Sequence, residues 1–296
     1  VCLFLRGGVD GLNVVVPHGD PVYYRERPRI AVPRSAVIDL DGYFGLHPGL
    51  APLRPLWDAQ ALAAIHAVGW PQPIPSHADA QRALEAGILR AARRAPWRAV
   101  AGPRLPADGV PGGRGRGRGS AGVAYPPGEA GLALRRIARA LKSDAGLEIA
   151  CAALTGWDTH LAQGAAAGPL AARLADLAQA LAAFARDLGP RLHDVVVLTL
   201  SEFGRSVPEN GHEGTDHGHA TALLVLGGPV EGGRVLGQWP GLDPDRRSAG
   251  HGLAATTDVR DVLAEILTRH LGASDVAAAF PGFTVDPRRF PGAVRT

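Results

Sequence analysis

Short runs of consecutive apolar residues alternate along this chain with stretches whose apolar positions recur every three or four residues. That is the pattern of buried strands separated by amphipathic helices. Val1–Leu5, Ala61–Val68, Leu147–Leu154, Val195–Leu200 and Thr221–Leu226 read as strands. Helical spacing marks Leu50–Leu62 around Leu53, Leu56 and Trp57, then Ala78–Gly87, and Gly131–Leu141 with Leu134, Ile137 and Leu141 on one face. It marks also the Ala/Leu-rich Pro169–Leu188 and a last segment, Thr257–Leu271. Strands alternating with helices predict an α/β protein with a mostly parallel central sheet covered on both faces.

Two stretches break the alternation. Residues 17–48 are rich in Pro, Arg and Tyr and are expected to be irregular surface structure. Residues 88–128 lack apolar periodicity and contain Gly112-Gly-Arg-Gly-Arg-Gly-Arg-Gly-Ser120. Such a low-complexity segment is expected to be disordered or truncated within a single domain spanning 1–296.

Composition narrows the picture only slightly. A chain of 296 residues, 46% hydrophobic and 20% charged, is long enough for one large core or at most two modest domains. The net charge of +3 makes no case for nucleic acid, and the Arg-Gly run carries no interleaved aromatic residues for base stacking. Positive charge is almost all arginine, with Lys142 the single lysine. No apolar run approaches the roughly 20 residues that span a bilayer. The chain opens inside a strand and holds no Met, so it is expected to be a truncated or processed piece whose targeting segment lies upstream. Cys2 and Cys151 both fall in strand-like runs, and are expected to be buried free thiols or one bridge between neighbouring strands.

The chemistry sits where strands end. Val195–Leu200 runs into Ser201-Glu-Phe-Gly-Arg205, and a glycine-punctuated loop then carries Asp216, His217 and His219 before the next strand. Asp10 follows the first strand through two glycines, and Asp158 with His160 follows Leu147–Leu154. Asp10 alone would pass for a turn-capping residue. A parallel sheet, however, lays its carboxyl ends along one rim, so these acids and histidines are expected to meet there as a divalent-metal site. Carboxylate and imidazole donors suit zinc first, and also manganese, iron or calcium. Ser76 stands where a helix N-cap belongs, before Ala78–Gly87. The same position, in the positive field of a helix N-terminus, also suits a nucleophile that becomes esterified to an anion. His77 and Asp79 are expected to solvate that helix start, with orientation of Ser76 the alternative.

Leu3-Phe-Leu-Arg-Gly-Gly-Val-Asp-Gly-Leu-Asn13, Phe44-Gly-Leu-His-Pro48, Ser76-His77, Gly156-Trp-Asp-Thr-His160, Ser201-Glu-Phe-Gly-Arg205 and Gly214-Thr-Asp-His-Gly-His219 resemble domain-of-unknown-function family 1501. That family is placed in the alkaline phosphatase/sulfatase-like superfamily. The resemblance implies a three-layer α/β/α sandwich and a twin-arginine export signal, hence a periplasmic or otherwise exported location. It implies a metal-binding acid at Asp10, a nucleophile at Ser76, an acid/histidine pair at Asp158 and His160, and a terminal histidine at His217 or His219. Glu202-Phe203 stands where the superfamily has an Asp-His pair, so one histidine ligand is replaced.

The expected activity is metal-dependent hydrolysis of a phosphate or sulfate ester of a small molecule or glycan. Ser76 is the expected nucleophile, Arg205 or Arg6 the contact to the ester oxygens, and Asp10, Asp158, His160, Glu202, Asp216, His217 and His219 the expected metal set. The alternative is a non-catalytic exported protein of the same fold that binds metal or an anionic ligand.

Overall fold

The computed structural model describes residues 1–74, 76–94, 98–101, 122–143, 146–248 and 251–295. Among the described residues eight strands form the central sheet: β1 (Cys2–Leu5), β2 (Leu62–Gly69), β3 (Arg98–Ala101), β4 (Leu147–Leu154), β5 (Val196–Leu200), β6 (Thr221–Gly227), β7 (Arg234–Leu236) and β8 (Thr257–Asp258). Their spatial order is β7-β2-β6-β5-β1-β4-β3, with β8 continuing the edge against the end of β2. All neighbours pair parallel except those of β6, which runs antiparallel to both β5 and β2. The alternation of strands and helices does not extend to this strand. No helix lies between β5 and β6, and a parallel pair needs a long crossover to carry the chain back to the starting edge. The loop 201–220 stays at the rim where β5 ends, so β6 can only run back.

Side chains of successive strand residues face opposite sides of the sheet. Leu3 and Leu5 pack with Leu134 and Ile137 of helix α2 (Glu129–Lys142) and with Leu174, Leu177 and Leu181 of α3 (Pro169–Leu188). Cys2 and Phe4 face the other way, toward Leu84 of α1 (His77–Arg94), Val262 and Leu263 of α4 (Val259–Glu265), and Phe280. Burial on both faces explains why β5 reads as an unbroken Val-Val-Leu-Thr-Leu run with no polar alternation. No described helix is long and apolar enough to cross a membrane.

Most expected elements form where the periodicity puts them, and α3 has the expected ends. The last helix begins two residues later than expected. Asp258 accepts from Arg260 N at 2.9 Å as its N-cap, and its final turn widens to a π-helix at Ile266–His270. Of the segment expected to lack structure, α1 extends through Arg94 and β3 occupies 98–101, whereas 95–97 and 102–121 lie outside the described residues.

The larger correction concerns residues 17–48, which are only in part irregular surface structure. Asp20 caps a helical turn at Pro21–Glu26 through Val22 N (2.9 Å), and Val15–Val16, Gly45–Leu46 and Ile38–Asp39 form a small antiparallel sheet. Tyr23, Arg27, Ile30 and Val32 are fully buried. This layer assembles around polar anchors that apolar periodicity does not reveal. The Arg27 guanidinium holds both oxygens of Asp10 (2.7 and 3.0 Å), Asn13 Oδ1 (2.9 Å) and the carbonyls of Ser206 and Val207.

His66, on β2, lies beneath this layer between the rings of Phe44 and Trp239 (centroids 4.9 Å from each), and its Nε2–H donates to Val15 O at 2.7 Å. Burial pushes its pKa from the ordinary 6.5 down to about 4. The unfolded chain therefore takes up this proton first, and stability is lost as pH falls from about 6.5 toward 4, by up to about 3 kcal/mol. In urea titrations at about pH 7 and about pH 4.5, His66→Gln should show a smaller acid loss than wild type. An identical loss would show that His66 is not the group that titrates.

Candidate functional site

The carboxyl ends of β1, β4 and β5, the start of α1 and the loop before β6 converge on one patch of the rim. Glu202, two residues past β5, has a fully buried side chain. Its Oε1 accepts from Gly7 N (2.9 Å), Gln81 Nε2 (2.8 Å) and His77 Nδ1 (2.6 Å). Burial opposes its ionisation, but these donors outweigh it and hold the carboxyl below the usual range. The bond from His77 Nδ1–H to this carboxylate turns Nε2 of that ring outward, toward His217. His77 is the first residue of α1 and Gln81 lies one turn on, so both reach the same carboxylate from one helix face.

His217 approaches from the opposite side. Residues 204–206 zip against 216–219 as a narrow antiparallel loop, with Ser206 N donating to Asp216 O and Gly218 N to Gly204 O, each at 2.9 Å. A Cβ on Gly218 would lie 2.2 Å from Arg205 O, so this close pairing requires glycine there. The His217 Nε2 atom stands 2.9 Å from His77 Nε2 and 3.0 Å from His160 Nε2. Burial, then His77, Arg205 and His160, lower the His217 pKa. The Phe203 ring backs both His77 and His217, with centroids 4.6 and 5.0 Å away.

Asp158 closes the cluster. Its Oδ1 is 3.1 Å from His160 Nε2 and 3.6 Å from His217 Nε2, and its Oδ2 is 3.8 Å from His77 Nε2. Burial acts against its charge, but the hydrogen-bonded Arg205 guanidinium prevails and keeps the carboxyl below its ordinary pKa. His160 Nδ1 in turn faces Asp216 Oδ1 at 3.4 Å, and Asp216 is held below its usual pKa chiefly by Asn210. Thus His77 and His160 each have a carboxylate behind the ring and present Nε2 to the centre. Around a tetrahedral zinc ion with bonds of about 2.0–2.1 Å, donor atoms sit about 3.3–3.4 Å apart. The observed spacings bracket that value, and among the described residues the ligand atoms of His77, His217 and Asp158 all lie within 4.8 Å of one another, so these three form a donor set able to hold a divalent ion, with His160 beside them at 3.0 Å from His217 and 3.1 Å from Asp158.

Of the residues expected to share the site, Asp158, His160 and His217 meet at its centre, while Glu202 and Asp216 stand one layer behind and orient His77 and His160. Asp10 is not brought to the cluster. It is 1% exposed, and both oxygens are taken by Arg27, with Gln163 Nε2 also donating at 2.6 Å. His219 also turns away, its Nε2–H donating to Trp70 O at 2.7 Å. Arg205 is buried and spends its donors on Gly8 O, Thr215 O, Gly7 O and Asp158, so it shapes the Gly7–Gly8 turn rather than facing a ligand. Arg6 is half exposed and pairs with Gln81 and Glu85. Ser76 Oγ accepts from Asp79 N at 3.4 Å, the geometry of an N-cap.

The residue whose role sequence reasoning missed is His77, taken there as a solvating group at a helix start. The signal was its spacing from Gln81, two polar groups four apart at the head of a helix. Their shared target, Glu202, lies 125 residues further on, where no local pattern connects them.

A family model described as "Protein of unknown function (DUF1501)" matches residues 120–288, more than half of the chain. The chain belongs to the DUF1501 family. The matched span includes Asp158, His160, Glu202, Asp216 and His217, whereas His77 comes from the preceding part of this DUF1501 chain. Neither the curated proteins nor the solved structures yielded a match.

Proposed function

We propose that this DUF1501 chain binds one divalent metal ion, zinc before manganese or iron, through His77, His160, His217 and Asp158, and hydrolyses phosphate or sulfate esters on an alkaline phosphatase-like three-layer scaffold. The observation that carries the metal assignment is the convergence of imidazole nitrogens on one point, with His217 Nε2 standing 2.9 Å from His77 Nε2 and 3.0 Å from His160 Nε2 beside the Asp158 carboxylate. A carboxylate behind a ligating ring fixes its tautomer and raises its basicity, and Glu202 and Asp216 stand in that position. An imidazole-rich set favours zinc, and a bound ion would supply Lewis acidity toward an ester oxygen. The hydrolase assignment rests on the resemblance and on Ser76, half-buried beside His77 at the N-terminus of α1. There a hydroxyl meets the positive end of the helix, which favours an anionic ester.

Metal-loaded protein should cleave aryl phosphate or aryl sulfate monoesters, and Ser76→Ala should remove that turnover while costing about 1 kcal/mol of stability from the lost cap. Ser76→Asn restores the cap without a nucleophile and should recover stability but not turnover. Retained turnover in Ser76→Ala would reduce Ser76 to a capping residue.

A second role, metal binding without catalysis, is favoured by the engagement of Arg205 and Asp10 inside the protein and by the N-cap bond of Ser76. One equivalent of metal with no turnover on either ester class would select it. An exported location remains part of the proposal through the resemblance, and fractionation of the natural host would test it.

A further inference from the structure

Away from the metal cluster, the structure pairs the two cysteines of the chain. Cys2 on β1 and Cys151 on β4 are register partners in neighbouring parallel strands. Residues in register on adjacent strands project to the same face, and both pack on the side of Phe4, Ile149 and Leu198. Adjacent strands lie about 4.8 Å apart, within the Cα separation of about 4.4–6.8 Å that a disulfide requires. Both residues are free thiols in this structure. Cys2 is 8% exposed and lines a cavity of about 250 Å³ with Ile149, Leu198 and Phe280, while Cys151 is partly exposed.

We propose that Cys2 and Cys151 are a redox site that closes to an intramolecular disulfide on exchange with a low-molecular-weight disulfide, stapling β1 to β4. The two thiols are unequal. Cys151 is partly exposed whereas Cys2 is buried, so an oxidant in solution reaches Cys151 first and Cys151 is the nucleophile. Its thiolate attacks one sulfur of the oxidant RS–SR, forming a Cys151 mixed disulfide and releasing RS⁻. Cys2 then loses its proton and attacks the Cys151 sulfur, expelling the second RS⁻. In sum, two protein thiols are oxidised to one disulfide and RS–SR is reduced to two RSH. The bridge joins the strand that leads into Gly7 to the strand that leads into Asp158, two groups on which the rim cluster depends.

The test treats the full-length chain with oxidised glutathione, alkylates it in denaturant, and maps peptides without reduction. The expected result is loss of both alkylatable thiols, a Cys2–Cys151 cross-linked peptide in the monomer, and a higher Tm than the reduced protein. Cys2→Ser should stop at a glutathione adduct on Cys151. Thiols that stay fully alkylatable, a disulfide-linked dimer, or a wild-type product that ends as the mixed disulfide would each overturn the proposal.

Discussion

His217→Ala is expected to abolish stoichiometric zinc binding, with wild-type protein holding about one equivalent by elemental mass spectrometry. His217 is the member of the cluster that touches both of the other imidazoles, at 2.9 Å from His77 and 3.0 Å from His160. Without it the remaining nitrogen and oxygen donors no longer surround a common centre. Removing the carboxylate behind a ligating histidine typically weakens affinity by about 10–100-fold, and Glu202→Gln should fall in that range. His217→Ala removes a ligand itself and should exceed it. Chelator competition measures both, and circular dichroism checks that the loop variant is folded. Metal-free wild type that takes up no zinc, manganese or iron on addition would sink the metal assignment and the hydrolase reading with it.

Arg27→Ala is expected to lower stability by about 3–5 kcal/mol, because it leaves the buried Asp10 carboxylate without its counter-charge. The guanidinium is fully buried and bonds Asp10, Asn13 and two backbone carbonyls at once, tying the first rim loop to the 206–207 turn. Asp10→Ala should cost a similar amount by orphaning the cation. The double variant Arg27→Met with Asp10→Leu should recover much of the loss, since a buried pair replaced by apolar groups of similar bulk is often neutral. The urea midpoints of the four proteins decide it. If Asp10 were instead a metal ligand, its substitution would remove bound zinc, whereas here the metal content of Asp10→Ala that remains folded should match wild type.

These two expectations separate residues that look alike in the sequence. Asp10 and Asp158 both follow a strand and a glycine-containing turn, and both were expected to bind metal. One faces an arginine from residues 17–48 and the other a histidine cluster. The deciding groups lie outside the local motif of each acid, Arg27 for Asp10 17 residues on and His217 for Asp158 in a different loop. Local spacing carries no record of either pairing.

By itself the sequence determined the elements and the rim. Apolar runs with nothing polar to expose must become strands covered on both faces, and helices with one apolar stripe must cover them. A mostly parallel sheet then delivers Asp158, Glu202 and the 216–219 loop to one edge, because parallel strands share a direction. Tertiary structure alone decided the rest. It reversed β6, since the loop after β5 never leaves the rim, and it folded residues 17–48 inward around Arg27. It also divided the candidate ligands into those at the centre, those behind them and those turned away, and it promoted His77 from a helix start to the centre of the site. Those outcomes depend on which polar group finds its partner across separations that run from 17 residues, Arg27 to Asp10, to 140, His77 to His217. Buried hydrogen bonds and charge pairs impose that choice, and no periodicity in the chain encodes it.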